Sequence, residues 1–145
     1  MKATVIQAAV IGGLALILAV GSAFFHPKRP PWYKVAQATP WDLPVEKVRE
    51  VIGDDRVDQI LWVDARKERA FEKGHMEGAI LIPKEAFGDF LVKHQDALQA
   101  ARDKPVIVYC DGRGCERSRE IAEKLRGISG LEPVYILKGN WRTFR

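Results

Sequence analysis

From Val45 onward, short apolar runs alternate with segments whose apolar residues recur at helical spacing. The short runs have the length and continuous hydrophobicity of strands buried on both faces, and they cover 60–63, 79–82, 106–109 and 134–137. Helical spacing is found over 45–52, 87–98 and 121–128, and a short charged helix is expected to end near Gly74. This order predicts an α/β domain with a mainly parallel central sheet flanked by helices.

Composition narrows the class of protein further. With 145 residues, 47% of them hydrophobic and 29% charged, the chain has the size and composition of one globular domain. Two cysteines and three histidines are too few for a disulfide-stapled fold or a four-ligand zinc site. Gly112 and Gly114 lack the third glycine of a dinucleotide fingerprint. We therefore expect neither a metal nor a cofactor.

The net charge of +4 is confined to the amino-terminal quarter of the chain. Residues 1–35 contain four basic residues and no acidic one, whereas 36–145 contain 19 of each. A neutral domain argues against a nucleic-acid partner, and basic residues around an apolar stretch favour a membrane surface. We expect the protein to be a single-pass membrane protein.

Residues 4–25 carry no charge and are long enough to span a bilayer. We interpret 1–26 as a transmembrane anchor or uncleaved signal; a cleaved signal is the alternative, since Gly21, Ser22 and Ala23 offer small residues for cleavage. The side of the membrane that the domain faces stays open. Residues 27–42 are predicted to be a stiff proline-rich linker, and 43–145 the domain.

The segment VIVYCDGRGCERSREIAEKL places Cys110 directly after a predicted buried strand and before a helix that begins at about Arg117. Glycines in the intervening loop and the amino end of the helix can turn backbone N–H groups inward as an anion cradle. Beside Arg113 and Arg117, Cys110 is expected to be a nucleophilic thiolate, although an inert buried cysteine is the alternative. The predicted substrate-binding loop comprises Asp111, Gly112, Arg113, Gly114, Cys115, Glu116 and Arg117.

Four segments resemble the rhodanese, or sulfurtransferase, family in the family's order, and together they cover about 43–143. They are Val-Asp-Ala-Arg at 63–66, GHMEGAILIP at 74–83, Val-Tyr-Cys at 108–110 followed by Arg117-Ser118, and Leu-Lys-Gly-Asn-Trp at 137–141. The resemblance implies a rhodanese-like fold and a membrane-tethered sulfurtransferase. Cys110 would take sulfane sulfur from a small sulfur-containing anion such as thiosulfate, or from a persulfide donor, and pass it as a persulfide to a thiophilic acceptor that could be a protein. Asp64, Arg66 and His75 would support the site.

The loop departs from the family pattern in ways that affect function. Arg117 and Ser118 come two positions later than in common single-domain members, which puts the preference for a small donor in doubt. The phosphatases of this fold have arginine where this chain has Glu116, and an acidic residue there would repel phosphate. Cys115 could act as a resolving thiol that pairs with Cys110, or could merely pack beneath the loop. The alternative functions are a non-catalytic rhodanese-like binding module and a redox sensor.

Overall fold

A computed structural model describes residues 2–25, 39–111, 116–129 and 131–144, which belong to two compact units, Met1–Gln37 and Ala38–Arg145. The first unit contains helix α1 (Lys2–Phe25), whose described aliphatic side chains are exposed. Among the described residues, no helix meets the length and apolarity needed to cross a membrane. The transmembrane helix predicted over 1–26 is therefore not supported, and membrane location stays a prediction.

The second unit is built on a five-stranded sheet in the order β1-β5-β4-β2-β3, with every pair of neighbours parallel. Its strands are β1 (Asp42–Pro44), β2 (Leu61–Asp64), β3 (Ile80–Leu81), β4 (Val106–Tyr109) and β5 (Val134–Lys138). The predicted α/β class with a parallel central sheet is confirmed. Parallel strands place all of their carboxyl ends at one edge, so polar residues that follow different strands meet there.

Strand β1 is the one element of the described sheet that the sequence pattern did not reveal. It pairs with β5 through Leu43 opposite Leu137, although its first residue falls within the linker predicted over 27–42. Three residues ending in proline are too few for an alternating pattern, and proline is tolerated because this strand lies at the sheet edge. Residues 27–38 of the predicted linker lie outside the described part of the chain.

The helices follow the predicted order with shifted boundaries. They are α2 (Val48–Ile52), α3 (Glu68–Glu72), α4 (Phe87–Lys93), α5 (Gln95–Gln99) and α6 (Glu116–Ser129). A 3-10 turn over Val45–Lys47 takes the start of the first predicted helix. The single helix predicted over 87–98 is divided at His94, whose φ of −109° and ψ of 18° leave the helical region. Hydrophobic spacing alone does not reveal this break, because both pieces direct apolar residues toward the same core.

Two hydrophobic clusters cover the two faces of the sheet. Side chains alternate along β4, so Val108 belongs to the cluster beneath α6 while Ile107 and Tyr109 belong to the cluster on the α2 side. Ile121 of α6 is fully buried in the first cluster, and burial of such a side chain stabilises by about 1.5–3 kcal/mol. Packing on both faces holds the carboxyl end of β4 in place.

Candidate active site

Cys110 lies at the carboxyl end of β4, where the chain leaves the sheet on the α6 face. Its side chain is 7% exposed. The Sγ atom lies 3.5 Å from the Oγ atom of Ser118, which is buried in the first turn of α6. The end of strand β4 therefore places the thiol at the amino end of a 14-residue helix. The partial positive charge of the backbone there favours an anionic sulfur.

The predicted anion cradle is described only at its two ends. Gly112, Arg113, Gly114 and Cys115 lie outside the described residues, so the cradle and the resolving role of Cys115 stay predictions. Asp111, Glu116 and Arg117 are described and exposed. Asp111 contacts Arg66, Trp141 and Arg142 on the opposite face of the sheet.

Asp64 and Arg66 form a buried ion pair at the carboxyl end of β2. The Arg66 side chain is 3% exposed and that of Asp64 is fully buried. The Nε atom of Arg66 donates to both carboxylate oxygens at 2.9 and 3.0 Å, and a terminal nitrogen donates to Oδ2 at 2.6 Å. Such a bidentate pair satisfies both charges and leaves the remaining guanidinium donors free to reach other segments.

Those donors connect β2 to two loops at the same edge of the sheet. Arg66 donates to the carbonyl oxygen of Gly74 at 2.7 Å and to Oδ2 of Asp111 at 2.9 Å. Burial by itself lowers the pKa of a guanidinium, yet the hydrogen bonds and charges of Asp64 and Asp111 raise the pKa of Arg66 above its usual value. Arg66 therefore stays charged and fixes the residue that follows Cys110.

Asp111 is held at its second oxygen from the end of β5. The indole Nε1 of Trp141 donates to Oδ1 at 3.0 Å, and a terminal nitrogen of Arg142 lies 3.6 Å from the same oxygen. Burial alone raises the pKa of a carboxyl group, but the hydrogen bonds from Arg66 and Trp141 and the charges of Arg66 and Arg142 hold the pKa of Asp111 below its usual range. Asp111 is thus a carboxylate fixed at both oxygens.

The structure places His75 away from this network. Its ring stacks on Phe71 with centroids 3.7 Å apart, and its Nδ1 lies 2.9 Å from the Phe71 carbonyl oxygen, while the side chain stays exposed. Tyr109 instead supports the turn that follows His75, because its hydroxyl accepts a hydrogen bond from the Met76 backbone nitrogen at 3.0 Å. These contacts with Phe71 give His75 a structural setting.

Sequence patterns did not single out Ser118 or Arg142 as site residues. Ser118 entered only as part of a family motif, and its contact with Cys110 follows from the start of α6 at Glu116. No sequence pattern pointed to Arg142, because nothing in the sequence indicates that the turn after β5 reaches Asp111. Among the described residues, no group of histidine, cysteine and carboxylate side chains could hold a metal ion.

The fold and site define a class of protein: a parallel α/β domain with a cysteine at the carboxyl end of a central strand and the amino end of a helix. The chain matches the model of the rhodanese-like domain over residues 44–145 and belongs to that family. A solved rhodanese-like domain from Anabaena sp. is 25% identical, with a TM-score of 0.51 and coverage of 73% of this chain and 74% of that one. A protein of Bacillus halodurans shares the fold at 23% identity, with a TM-score of 0.54 and coverage of 70% and 71%.

Curated relatives include longer proteins. The tRNA uridine(34) hydroxylase of Yersinia pestis, strain Pestoides F, is 32% identical over 97 residues, which are 67% of this chain and 26% of that protein. The protein of the same name from Escherichia coli O1:K1 / APEC is 37% identical over 80 residues, 54% of this chain and 22% of its own length. The chain thus spans about a quarter of these relatives.

Proposed function

We propose that this protein is a sulfurtransferase in which Cys110 carries sulfane sulfur as a persulfide. The observation that carries the proposal is the position of the Cys110 Sγ at the carboxyl end of β4, 3.5 Å from Ser118 Oγ in the first turn of α6. Membership of the rhodanese-like family supports it. We do not propose the hydroxylase activity of the curated relatives for this chain, because the match covers about a quarter of those proteins.

The proposed reaction has two displacement steps. The Cys110 thiolate attacks the outer sulfur of thiosulfate, an S–S bond forms, and sulfite leaves with the electron pair of the broken bond. The resulting persulfide then gives its terminal sulfur to a thiophilic acceptor such as cyanide, which leaves as thiocyanate and restores the thiolate. Backbone donors at the helix end would stabilise the negative charge on the terminal sulfur in both steps.

The proposed partners are a small sulfur-containing anion or a low-molecular-weight persulfide as donor, and a protein thiol as one class of acceptor. The ion-pair network at Asp111 supports this choice, since it leaves a guanidinium exposed at the carboxyl edge of the sheet. Attachment to a membrane through residues 1–26 remains a prediction of the sequence.

Mass spectrometry after incubation with thiosulfate tests the proposal. We expect the peptide that contains Cys110 to gain one sulfur atom, which cyanide removes as thiocyanate. Cys110→Ser should gain none, whereas the matched variant Cys115→Ser should still form the persulfide with altered turnover. Absence of sulfur on Cys110 with both thiosulfate and glutathione persulfide would refute sulfur transfer.

One observation favours the second candidate, a non-catalytic binding module: Cys110 is only 7% exposed and belongs to the apolar cluster beneath α6. An inert cysteine would resist iodoacetamide in the folded protein and react only after unfolding. Rapid alkylation of Cys110 in the native protein would exclude this candidate. A disulfide between Cys110 and Cys115 without any bound sulfur would instead indicate the redox sensor.

A further inference from the structure

The turn that follows β5 is held by hydrogen bonds and lies beside Asp111. Asn140 caps it, since its Oδ1 accepts a hydrogen bond from the Arg142 backbone nitrogen at 3.1 Å, and Thr143 Oγ1 donates to the Asn140 carbonyl oxygen at 2.7 Å. Trp141 is 8% exposed and is anchored to Asp111 by its indole nitrogen. The backbone of Arg142 is therefore held in a defined position at the carboxyl edge of the sheet.

The Arg142 side chain is oriented but not saturated. Its guanidinium carbon lies 4.4 Å from the centre of the Trp141 ring, and its terminal nitrogen lies 3.6 Å from Oδ1 of Asp111, which already accepts the indole hydrogen bond. The side chain is 58% exposed. A guanidinium has five N–H donors, so Arg142 has donors to offer besides the one nearest Asp111.

Three other cations described near this edge are engaged more fully, whereas Arg117, in the first turn of α6, is exposed. Arg66 is buried between two carboxylates, and Lys84 lies 2.6 Å from Glu120. Arg119 is only 19% exposed and pairs with Asp42 at 3.2 Å. Among these residues, Arg142 combines a fixed orientation, a half-exposed guanidinium and a direct connection to the residue that follows Cys110.

We infer that Arg142 is the residue through which the site recognises the negatively charged part of its sulfur donor. This inference rests on the proposed sulfur transfer at Cys110 and adds a specificity residue to it. The sulfonate end of thiosulfate has the oxygen geometry that a guanidinium binds with two donors. On binding, the donor would replace the long contact between Arg142 and Asp111, while Trp141 keeps the guanidinium in place.

Steady-state kinetics with thiosulfate give the first test. Arg142→Gln should raise KM by about 3- to 10-fold with a much smaller change in kcat, because a surface charge acts mainly on binding of the anion. Arg142→Lys, which keeps the charge but loses the planar fork, should recover part of the loss. The matched control is Arg56→Gln, since Arg56 is exposed and contacts the Asp103 carbonyl oxygen at the opposite edge of the sheet.

A second test does not depend on sulfur transfer. In a Cys115→Ser background, where Cys110 is the sole thiol, the rate of alkylation by anionic iodoacetate is divided by the rate with neutral iodoacetamide. Arg142→Gln should lower this ratio about 3-fold or more relative to Arg56→Gln, and high salt should remove the difference. The neutral reagent reports any change in folding or access.

The outcomes separate this inference from the function on which it rests. A lowered alkylation ratio in Arg142→Gln without any sulfur on Cys110 supports anion recognition by Arg142 and refutes sulfur transfer. Sulfur on Cys110, with the same ratio and the same KM in Arg142→Gln and Arg56→Gln, overturns the role of Arg142 and leaves the proposed function intact.

Discussion

The two faces of the sheet differ sharply where β4 ends. On the α6 face, Cys110 lies among apolar side chains and contacts the hydroxyl of Ser118. On the other face, Arg66 and Asp111 form part of a charged network beside the ring of Trp141. Adjacent residues of one strand end thus lie in opposite environments, because side chains alternate across a sheet.

This difference shows that the residues which fix the backbone after β4 and the candidate nucleophile can lie on opposite faces of the sheet. The charged face fixes the backbone at Asp111 through short hydrogen bonds, whereas the apolar face limits the access of water to the sulfur. Removing a charge on one face should therefore shift the loop and make the loss of stability depend on pH. Removing apolar volume on the other face should lower the free energy of unfolding without a dependence on pH. Substitutions on each face separate these effects.

Removal of Arg66 should have the largest effect. Arg66→Ala leaves the fully buried Asp64 carboxylate without its partner, and we expect a loss of about 3–5 kcal/mol in the free energy of unfolding. Urea denaturation followed by circular dichroism measures it. The control is Arg56→Ala at the exposed amino edge of the sheet. An equal loss of unfolding free energy in both variants would show that the buried network does not stabilise the domain more than an exposed arginine does.

Truncation on the apolar face should come next. Ile121→Ala removes a fully buried side chain of α6 from the cluster beneath that helix, and the cavity should cost about 3 kcal/mol in the free energy of unfolding. Its denaturation midpoint should shift by the same amount at pH 7 and pH 5. A strongly pH-dependent shift would contradict the separation of the two faces.

Asp111→Asn should have an intermediate effect that depends on pH. The pKa of Asp111 is lower in the folded state, so its stabilisation is present above the unfolded pKa of about 3.9 and is lost as pH falls through the folded value. Because the side chain is 48% exposed and solvent screens its charge, we expect a loss of about 1 kcal/mol at pH 7 and a smaller difference from wild type in acid. Denaturation midpoints from pH 7 to pH 3 measure this convergence.

A matched variant sharpens that test. Asp54→Asn removes the carboxylate of an exposed ion pair with Arg49, and exposed pairs of this kind contribute little to stability. Its midpoint should stay close to wild type throughout the pH series. If Asp111→Asn follows the same curve, the contacts with Arg66 and Trp141 do not stabilise the ionised form.

Ser118→Ala should have the smallest effect on stability. It removes a neutral hydroxyl 3.5 Å from Cys110 Sγ, and the expected loss is about 1 kcal/mol or less. The reaction of Cys110 with iodoacetamide should change several-fold, since the hydroxyl contacts the sulfur directly. An unchanged alkylation rate would indicate that Ser118 only fills space.

Local patterns were sufficient to predict much of the domain. The continuous apolar run at 106–109 became β4, and Cys110 follows it as expected, because a buried strand is recognisable from its own residues. The rhodanese-like family was also recognisable from the sequence, through short motifs that include residues 63–66, and the family match confirms it. Strand β1 was missed because its three residues gain their conformation from pairing with β5.

The candidate site likewise has some features that local sequence predicts and others that only the fold creates. The sequence by itself determined which residue is the nucleophile candidate and that it leaves a buried strand just before a helix, since both depend on neighbouring residues. Only the tertiary structure decided that Asp111 meets Arg66, 45 residues away, and Trp141, 30 residues away. These contacts depend on the order β1-β5-β4-β2-β3, which brings the ends of β2, β4 and β5 together at one edge. Strand order is set by the packing of the whole sheet, and no local stretch of sequence contains it.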